Sequence, residues 1–378
     1  MISNEYYLQE YITTRGLGKK TYKSMKYMLN HYSDFQGLTL HELINEADIE
    51  EEQGIRWKRR KLKIRLINYM NYCKDNMKLS SAKAYVKAVK GFYNHHEIEI
   101  GKLPSWNLKN ANVSEPITAK DLPTKEIIRN AVDLSDPLMK SLILFLCSSG
   151  MSKVDCLSLS VNDFIESTYS YHQQDNIPDA LNTMFESEME IIPTFKMRRS
   201  KTNKYFITFC SPEATQEIVN YLLLRNKRNK CYHRPLLTGE DKLFKISEGH
   251  YDVKFKELNN ALNLGKVGTF NRMRGHMLRK FHATMLEKHG MPRYLVKVLQ
   301  GKSNGVVDDV YFFEDEDTLR DEYIKALEGV LIFTEVKEVT KYSPEYLSIV
   351  DENKKLKAQV EKVEQIEKEL ESIKKWYL

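Results

Sequence analysis

Several features that would assign a class at once are missing from these 378 residues. No stretch is apolar for long enough to cross a bilayer. The longest apolar run, Leu138 to Cys147, is broken by Lys140 and Ser141 and falls short of the roughly 20 residues a span needs. The five cysteines (Cys73, Cys147, Cys156, Cys210 and Cys231) form no C-x-x-C pair and no zinc spacing with histidine. Thiols of that kind fit a reducing compartment, and neither metal nor cofactor is expected. The chain does not open on a cationic-then-apolar export signal. A large excess of one charge is also lacking: 58 Lys and Arg against 52 Asp and Glu leave a net +6. With 42% hydrophobic residues, the expectation is a soluble cytoplasmic protein with ordinary cores, built as two domains plus an appendage.

What the chain does have is concentrated between Arg274 and Tyr311. His276 and Arg279 are three residues apart, which on a helix places both on one face. Phe281, Met285 and Leu286 repeat at helical intervals behind them and can anchor that helix in a core. A Gly-Met-Pro break follows, then a short apolar run from Tyr294 to Leu299, then Gly301-Lys302, with Tyr311 nine residues beyond Lys302. Arginine to hold phosphate oxygens, histidine to move or orient a proton, and tyrosine to attack make up a set suited to phosphoryl transfer through a tyrosine.

On these residues the chain resembles the tyrosine recombinases, or phage-type integrases, and within them the archaeal-type integrases. An H-x-x-R motif, a Gly followed by His or Trp, and a tyrosine nine residues on recur there in this order. The matching residues are His276, Arg279, Gly301 and Tyr311, with Lys302 in the slot that usually holds His or Trp. Further upstream, Gly150, Asp155 and Leu159 match a G-L-R-x-x-E/D-x-x-x-L pattern whose arginine is the first catalytic one. Here that slot holds Ser152, with Lys153 next to it. Lysine brings charge without the fork that clamps two phosphate oxygens. The resemblance also implies a catalytic lysine at a hairpin tip. Residues 190 to 210 alternate like two strands around Lys201-Thr202-Asn203-Lys204, with Phe195, Met197, Tyr205, Ile207 and Phe209 expected on one side. Lys201 fits that role best and Lys204 second. A lysine can lose its proton to the 5′-oxygen leaving group.

The fold class expected is mainly α with a small β-sheet. Residues 1–103 read as a helical bundle with lysine-bearing faces. The basic run Arg56 to Arg65 includes Lys58, Arg59 and Arg60 around Trp57, and a helix after Leu79-Ser80-Ser81 carries Lys83 and Lys87 outward. These are the candidate contacts to DNA phosphates. The resemblance makes this unit the core-binding domain, a helical clamp on DNA. Residues 104–123 read as a linker and 124–333 as the catalytic domain, with 164 to 190 as an inserted loop with short helices. Residues 344–378 form a charged helix with about four heptads, a possible coiled coil. Tyr323 is the rival nucleophile to Tyr311, although its apolar neighbours Leu319 and Leu327 suit a core position.

The activity this implies is site-specific strand exchange on double-stranded DNA through a 3′-phosphotyrosyl link, by a homo-oligomer that the resemblance makes a tetramer. The departures at Ser152 and Lys302 leave open a DNA-binding protein of the same fold without the chemistry. The C-terminal helix leaves open a coiled-coil interaction protein.

Overall fold

The computed structural model describes residues 4–16, 18–106, 117–302 and 315–333. Tyr311 and the helix expected over 344–378 lie outside the described residues. The protein is mainly α-helical, with two small two-stranded antiparallel sheets among the described residues. It divides into two compact units, Met1–Pro116 and Ile117–Leu378.

The first unit packs five helices: α1 (Asn4–Thr14), α2 (Lys19–Gln36), α3 (Leu40–Glu52), α4 (Lys61–Asn76) and α5 (Leu79–His95). The apolar stripes read from the sequence meet in one core of Leu8, Tyr11, Leu29, Tyr32, Leu66, Tyr69, Val89 and Phe92, among others. Thr39 and Glu42 form a reciprocal capping box that starts α3. Helix α5 begins at Leu79, and its N-cap, Lys78, supplies no side-chain capping hydrogen bond. The helix expected after Leu79-Ser80-Ser81 therefore already includes that segment, with Leu79 and Ala82 buried in its first turn.

The second unit is organised around α7 (Pro137–Ser149), buried along most of its length. Its start is set by Asp136, whose side chain accepts from Met139 N, with Pro137 in the first turn. Around it lie α6 (Lys125–Asp133), α8 (Lys153–Ser158), α9 (Val161–His172), α10 (Ile177–Glu186), α11 (Pro212–Cys231), α12 (Glu248–Ala261) and α13 (Gly275–Lys288). Strands β1 (Thr194–Arg198) and β2 (Tyr205–Phe209) form the hairpin, and β3 (Lys266–Val267) with β4 (Phe270–Asn271) form a second, short one. Then come α14 (Arg293–Leu299) and α15 (Glu316–Lys325).

The structure corrects two further expectations in this unit. Residues 164 to 190 are mostly the two helices α9 and α10, whose Phe164, Ile165, Ala180, Leu181 and Met184 enter the main core. The polar residues that hid this pattern are satisfied inside their own helix. Thr168 Oγ1 donates to Phe164 O, and His172 Nε2 lies 3.2 Å from Ile165 O. The hairpin also has two inward faces rather than one. Its register pairs Phe195 with Thr208 and Met197 with Phe206, and Lys196 with Ile207 and Thr194 with Phe209. Cross-strand partners share a face, so Phe195 points into the main core and Phe209 into a second one, built with Leu295, Leu299, Leu319 and Tyr323. A hairpin wedged between two cores has little freedom to tilt, which fixes the turn at its tip.

Candidate functional site

The site is built where α7 ends. A helix leaves its last carbonyls without intrahelical partners, and here three different elements supply donors. Tyr323 Oη on α15 donates to Ser148 O at 3.0 Å, Thr208 Oγ1 on β2 to Ser149 O at 2.8 Å, and Arg279 Nη1 on α13 to Gly150 O at 2.6 Å. Gly150 caps the helix with φ 60°, and the His282 ring lies where a side chain on residue 150 would have to go. Tyr323, the rival nucleophile, is fully buried in this role, and burial raises its pKa well above that of an ordinary phenol.

Arg279 is only 6% exposed. Its second nitrogen, Nη2, donates to Gln300 O at 2.6 Å, while Gln300 Nε2 donates back to Arg279 O at 2.9 Å and lies 3.1 Å from His282 Nδ1. This reciprocal pair fixes the arginine against the end of α14. Among the described residues, two of its five guanidinium N–H groups are used in this way.

Sequence reasoning missed Arg199. It sits at the start of the hairpin turn, and its Nη1 donates to Gly301 O at 2.9 Å. Two guanidiniums therefore rest on the carbonyls of consecutive residues, Gln300 and Gly301, with Lys302 next in the chain. The Arg199 Nε is buried without a hydrogen-bond partner. Asp155 holds the turn in place. Its Oδ1 accepts from Ser200 N at 2.9 Å and its Oδ2 from Ser152 Oγ at 2.6 Å, and the residue is 2% exposed. Ser152, in the slot where the resemblance puts an arginine, is the N-cap of α8.

The electrostatics report crowding of like charges. Burial, then Arg199, pushes the Arg279 guanidinium down to about 10, against an opposing pull from Asp155. Lys302 is lowered by partial burial and then by Arg279 and Arg199. His276 is lowered by partial burial, followed by Arg274, Lys280, Arg279 and Lys302, which favours the neutral imidazole. His276, Arg279, Lys280, Gln300 and Lys302 all border one cavity of about 420 Å³. A larger cavity of about 530 Å³, beside Glu188, Glu190, Glu213 and Glu217, contains none of these groups.

Of the residues singled out in the sequence, His276, Arg279 and Lys302 come together here. Lys201 is exposed on the adjacent turn. Lys153 is held elsewhere: its Nζ donates to Glu248 O at 2.9 Å, pairs with Asp252 Oδ2 at 2.7 Å and lies over the Tyr251 ring. In the first unit Lys58, Arg59, Lys83 and Lys87 are exposed. Arg60 is engaged internally, by the Glu51 carboxylate and Ile55 O. A broad groove of about 990 Å³ in this unit is bordered by Lys20, Lys23, Lys26, Tyr27, His31 and Tyr85. Arg199 left one usable trace in the sequence: it lies two residues before the lysine of the turn, within the doublet Arg198-Arg199.

No model of a known protein family matches the chain, and no curated protein matches it. Among solved structures it is similar to the XerH site-specific recombinase bound to difH substrate, at 16% identity and a TM-score of 0.49, over 85% of this chain and 84% of that one. It is also similar to the Tn1549 transposon integrase in complex with transposon right end DNA (15%, TM-score 0.46, 86% and 99% of the two chains). A third is a lambda integrase tetramer bound to a Holliday junction (14%, TM-score 0.47, 90% and 80%). All three stay below 20% identity and a TM-score of 0.5, so the chemistry has to be read from this chain's own residues.

Proposed function

We propose that the protein breaks and rejoins DNA strands by transesterification through Tyr311. The observation that carries this reading is the cluster of cations at the end of α14. Arg279 and Arg199 rest on adjacent carbonyls, Lys302 follows, and one guanidinium nitrogen is buried without a partner. Holding like charges this close is unfavourable unless an anion completes the site, and a phosphodiester supplies one negative charge shared by two non-bridging oxygens.

In this reading Tyr311 Oη attacks the phosphorus. The new O–P bond forms as the bond to the 5′-oxygen breaks, and the strand ends as a 3′-phosphotyrosyl ester. Neutral His276 takes the phenolic proton, and Lys201 at the hairpin tip gives one to the departing 5′-oxygen. Arg279, Arg199 and Lys302 stabilise the charge that builds on the phosphorane. A 5′-hydroxyl from a second strand reverses the steps. The link conserves the phosphodiester energy, so the exchange needs neither ATP nor a metal. We assign the work of the first arginine to Arg199 rather than Lys153, whose ammonium is occupied by Asp252 and Glu248 O. Double-stranded DNA is the partner, held in the first unit by Lys58, Arg59, Lys83 and Lys87. Assembly into a homo-oligomer on DNA belongs to the same proposal.

The test is a trapping experiment on a library of nicked duplexes, in which cleavage close to a nick releases a short 5′-ended fragment and strands the protein on DNA. An adduct stable to detergent, formed by the wild type and lost in Tyr311→Phe, supports the proposal. Tight binding with no adduct on any duplex favours a DNA-binding protein without the chemistry.

A further inference from the structure

A second cluster of donor groups lies in the first unit, and the function proposed above does not use it. We propose that Glu10, His95 and His96 bind a divalent transition-metal ion of the zinc class. Glu10 projects from α1, His95 ends α5 and His96 is its C-cap. One ligand atom from each lies within 4.8 Å of the other two. His95 Nε2 is 3.4 Å from Glu10 Oε1, and His96 Nε2 is 3.9 Å from Glu10 Oε2. Donors bound to one tetrahedral ion at about 2.0–2.1 Å stand roughly 3.4 Å apart, so the Glu10–His95 separation already matches and the other side chains would have to close inward from within 4.8 Å.

The second observation is a lack of partners. Glu10 Oε2 and His96 Nε2 are both buried and neither has a hydrogen-bond partner. At 3.9 Å they are too far apart to bond to each other. A buried acceptor and a buried ring nitrogen that face each other unbonded are costly, and a shared cation removes both costs. The remaining contacts leave the set available. Glu10 Oε1 receives a long bond from Thr14 Oγ1 at 3.5 Å. The imidazoles are held edge-on by aromatic rings, His95 by Tyr11 at 4.9 Å between centroids and His96 by Phe92 at 4.8 Å.

The chemistry of the set narrows the ion. Two imidazole nitrogens and one carboxylate suit Zn²⁺, Co²⁺ or Ni²⁺, whereas Mg²⁺ and Ca²⁺ favour oxygen alone. Three protein donors leave a fourth position for water. Glu10 and His95 are 85 residues apart in sequence, so the ion would tie the first helix of the unit to the end of its last. Metal binding would then couple to folding of that unit.

The test uses the full chain, stripped with a chelator and titrated with Zn²⁺ in a calorimeter and with Co²⁺ in a spectrophotometer. One equivalent of each is expected, with a tetrahedral Co²⁺ spectrum free of thiolate charge-transfer bands and a rise in melting temperature on adding Zn²⁺. His95→Ala and the near-isosteric Glu10→Gln should each weaken Zn²⁺ binding by about 100-fold or more, while His233→Ala, exposed in the other unit, should not. The inference is overturned by the absence of a stoichiometric site, by thiolate bands that place the ion on Cys231, or by unchanged affinity in Glu10→Gln. None of these outcomes depends on DNA cleavage, so this inference and the recombinase reading can fail separately.

Discussion

Replacing Arg199 with alanine separates the chemistry from the fold. Among the described residues the side chain makes one hydrogen bond, from Nη1 to Gly301 O, and a bond of that kind contributes about 1 kcal/mol. Gly301 is buried, so its carbonyl is left without that donor and stability should fall by about 1–3 kcal/mol. In the transition state the loss is larger. Removing one preorganised donor from developing charge costs about 3 kcal/mol, or about 100-fold in rate. Single-turnover cleavage of a nicked duplex by the folded variant should therefore slow by about that factor, while DNA affinity stays close to wild type. Arg199→Lys should fall between the two, because it keeps the charge and loses the fork. A neutral methylphosphonate at the scissile position should narrow the gap between variant and wild type, since it removes the charge that Arg199 balances in the proposed reaction. Cleavage by Arg199→Ala within about threefold of wild type, or a rate loss matched by an equal loss of folded protein, would refute the assignment.

Other outcomes follow from the same geometry. Tyr323→Phe leaves Ser148 O buried without its donor and should lower stability by about 1–3 kcal/mol in a urea titration while adduct formation persists. His282 is fully buried and its pKa is pushed down to about 3 by burial first and then by Arg279 and Lys302. Below a pH of about 6.5 the unfolded chain therefore takes up a proton that the folded protein refuses. Stability is unaffected above that pH and should decline by up to about 1.4 kcal/mol per pH unit between about 6.5 and 3; His282→Gln should flatten this limb of the curve. Gly150→Ala places a side chain into the His282 ring at a left-handed backbone position and should destabilise the protein by several kcal/mol or prevent folding. DNA binding should weaken steeply with salt, and Lys83→Ala and Lys87→Ala should each reduce the slope by about 1; a slope unchanged in both would remove these lysines from the interface.

The parts of the site that were legible in the sequence are those set by local spacing. His276 and Arg279 share a helix face because helical geometry requires it, and the apolar repeat behind them identified the side that is buried. The hairpin was legible from alternation and its turn residues. Its faces were not, because strand register is set by cross-strand pairing, and here both faces are buried. Arg199 left only its position beside the turn lysine as a sign of the site. Its placement depends on Asp155, 44 positions earlier, accepting from the next backbone amide, a contact with no local signature. The same holds for the end of α7, where Tyr323, Thr208 and Arg279 converge from three separate elements. Helix α9 was obscured because buried His172 and Thr168 look like surface residues until their own backbone is seen to satisfy them.

The most direct measurement is to digest the trapped protein–DNA adduct and locate the nucleotide-bearing peptide by mass spectrometry. The account predicts a 3′-phosphonucleotide on Tyr311, formed by wild type and sharply reduced in Arg199→Ala and Arg279→Lys. A nucleotide on any other side chain, or a 5′-linked product, would contradict it.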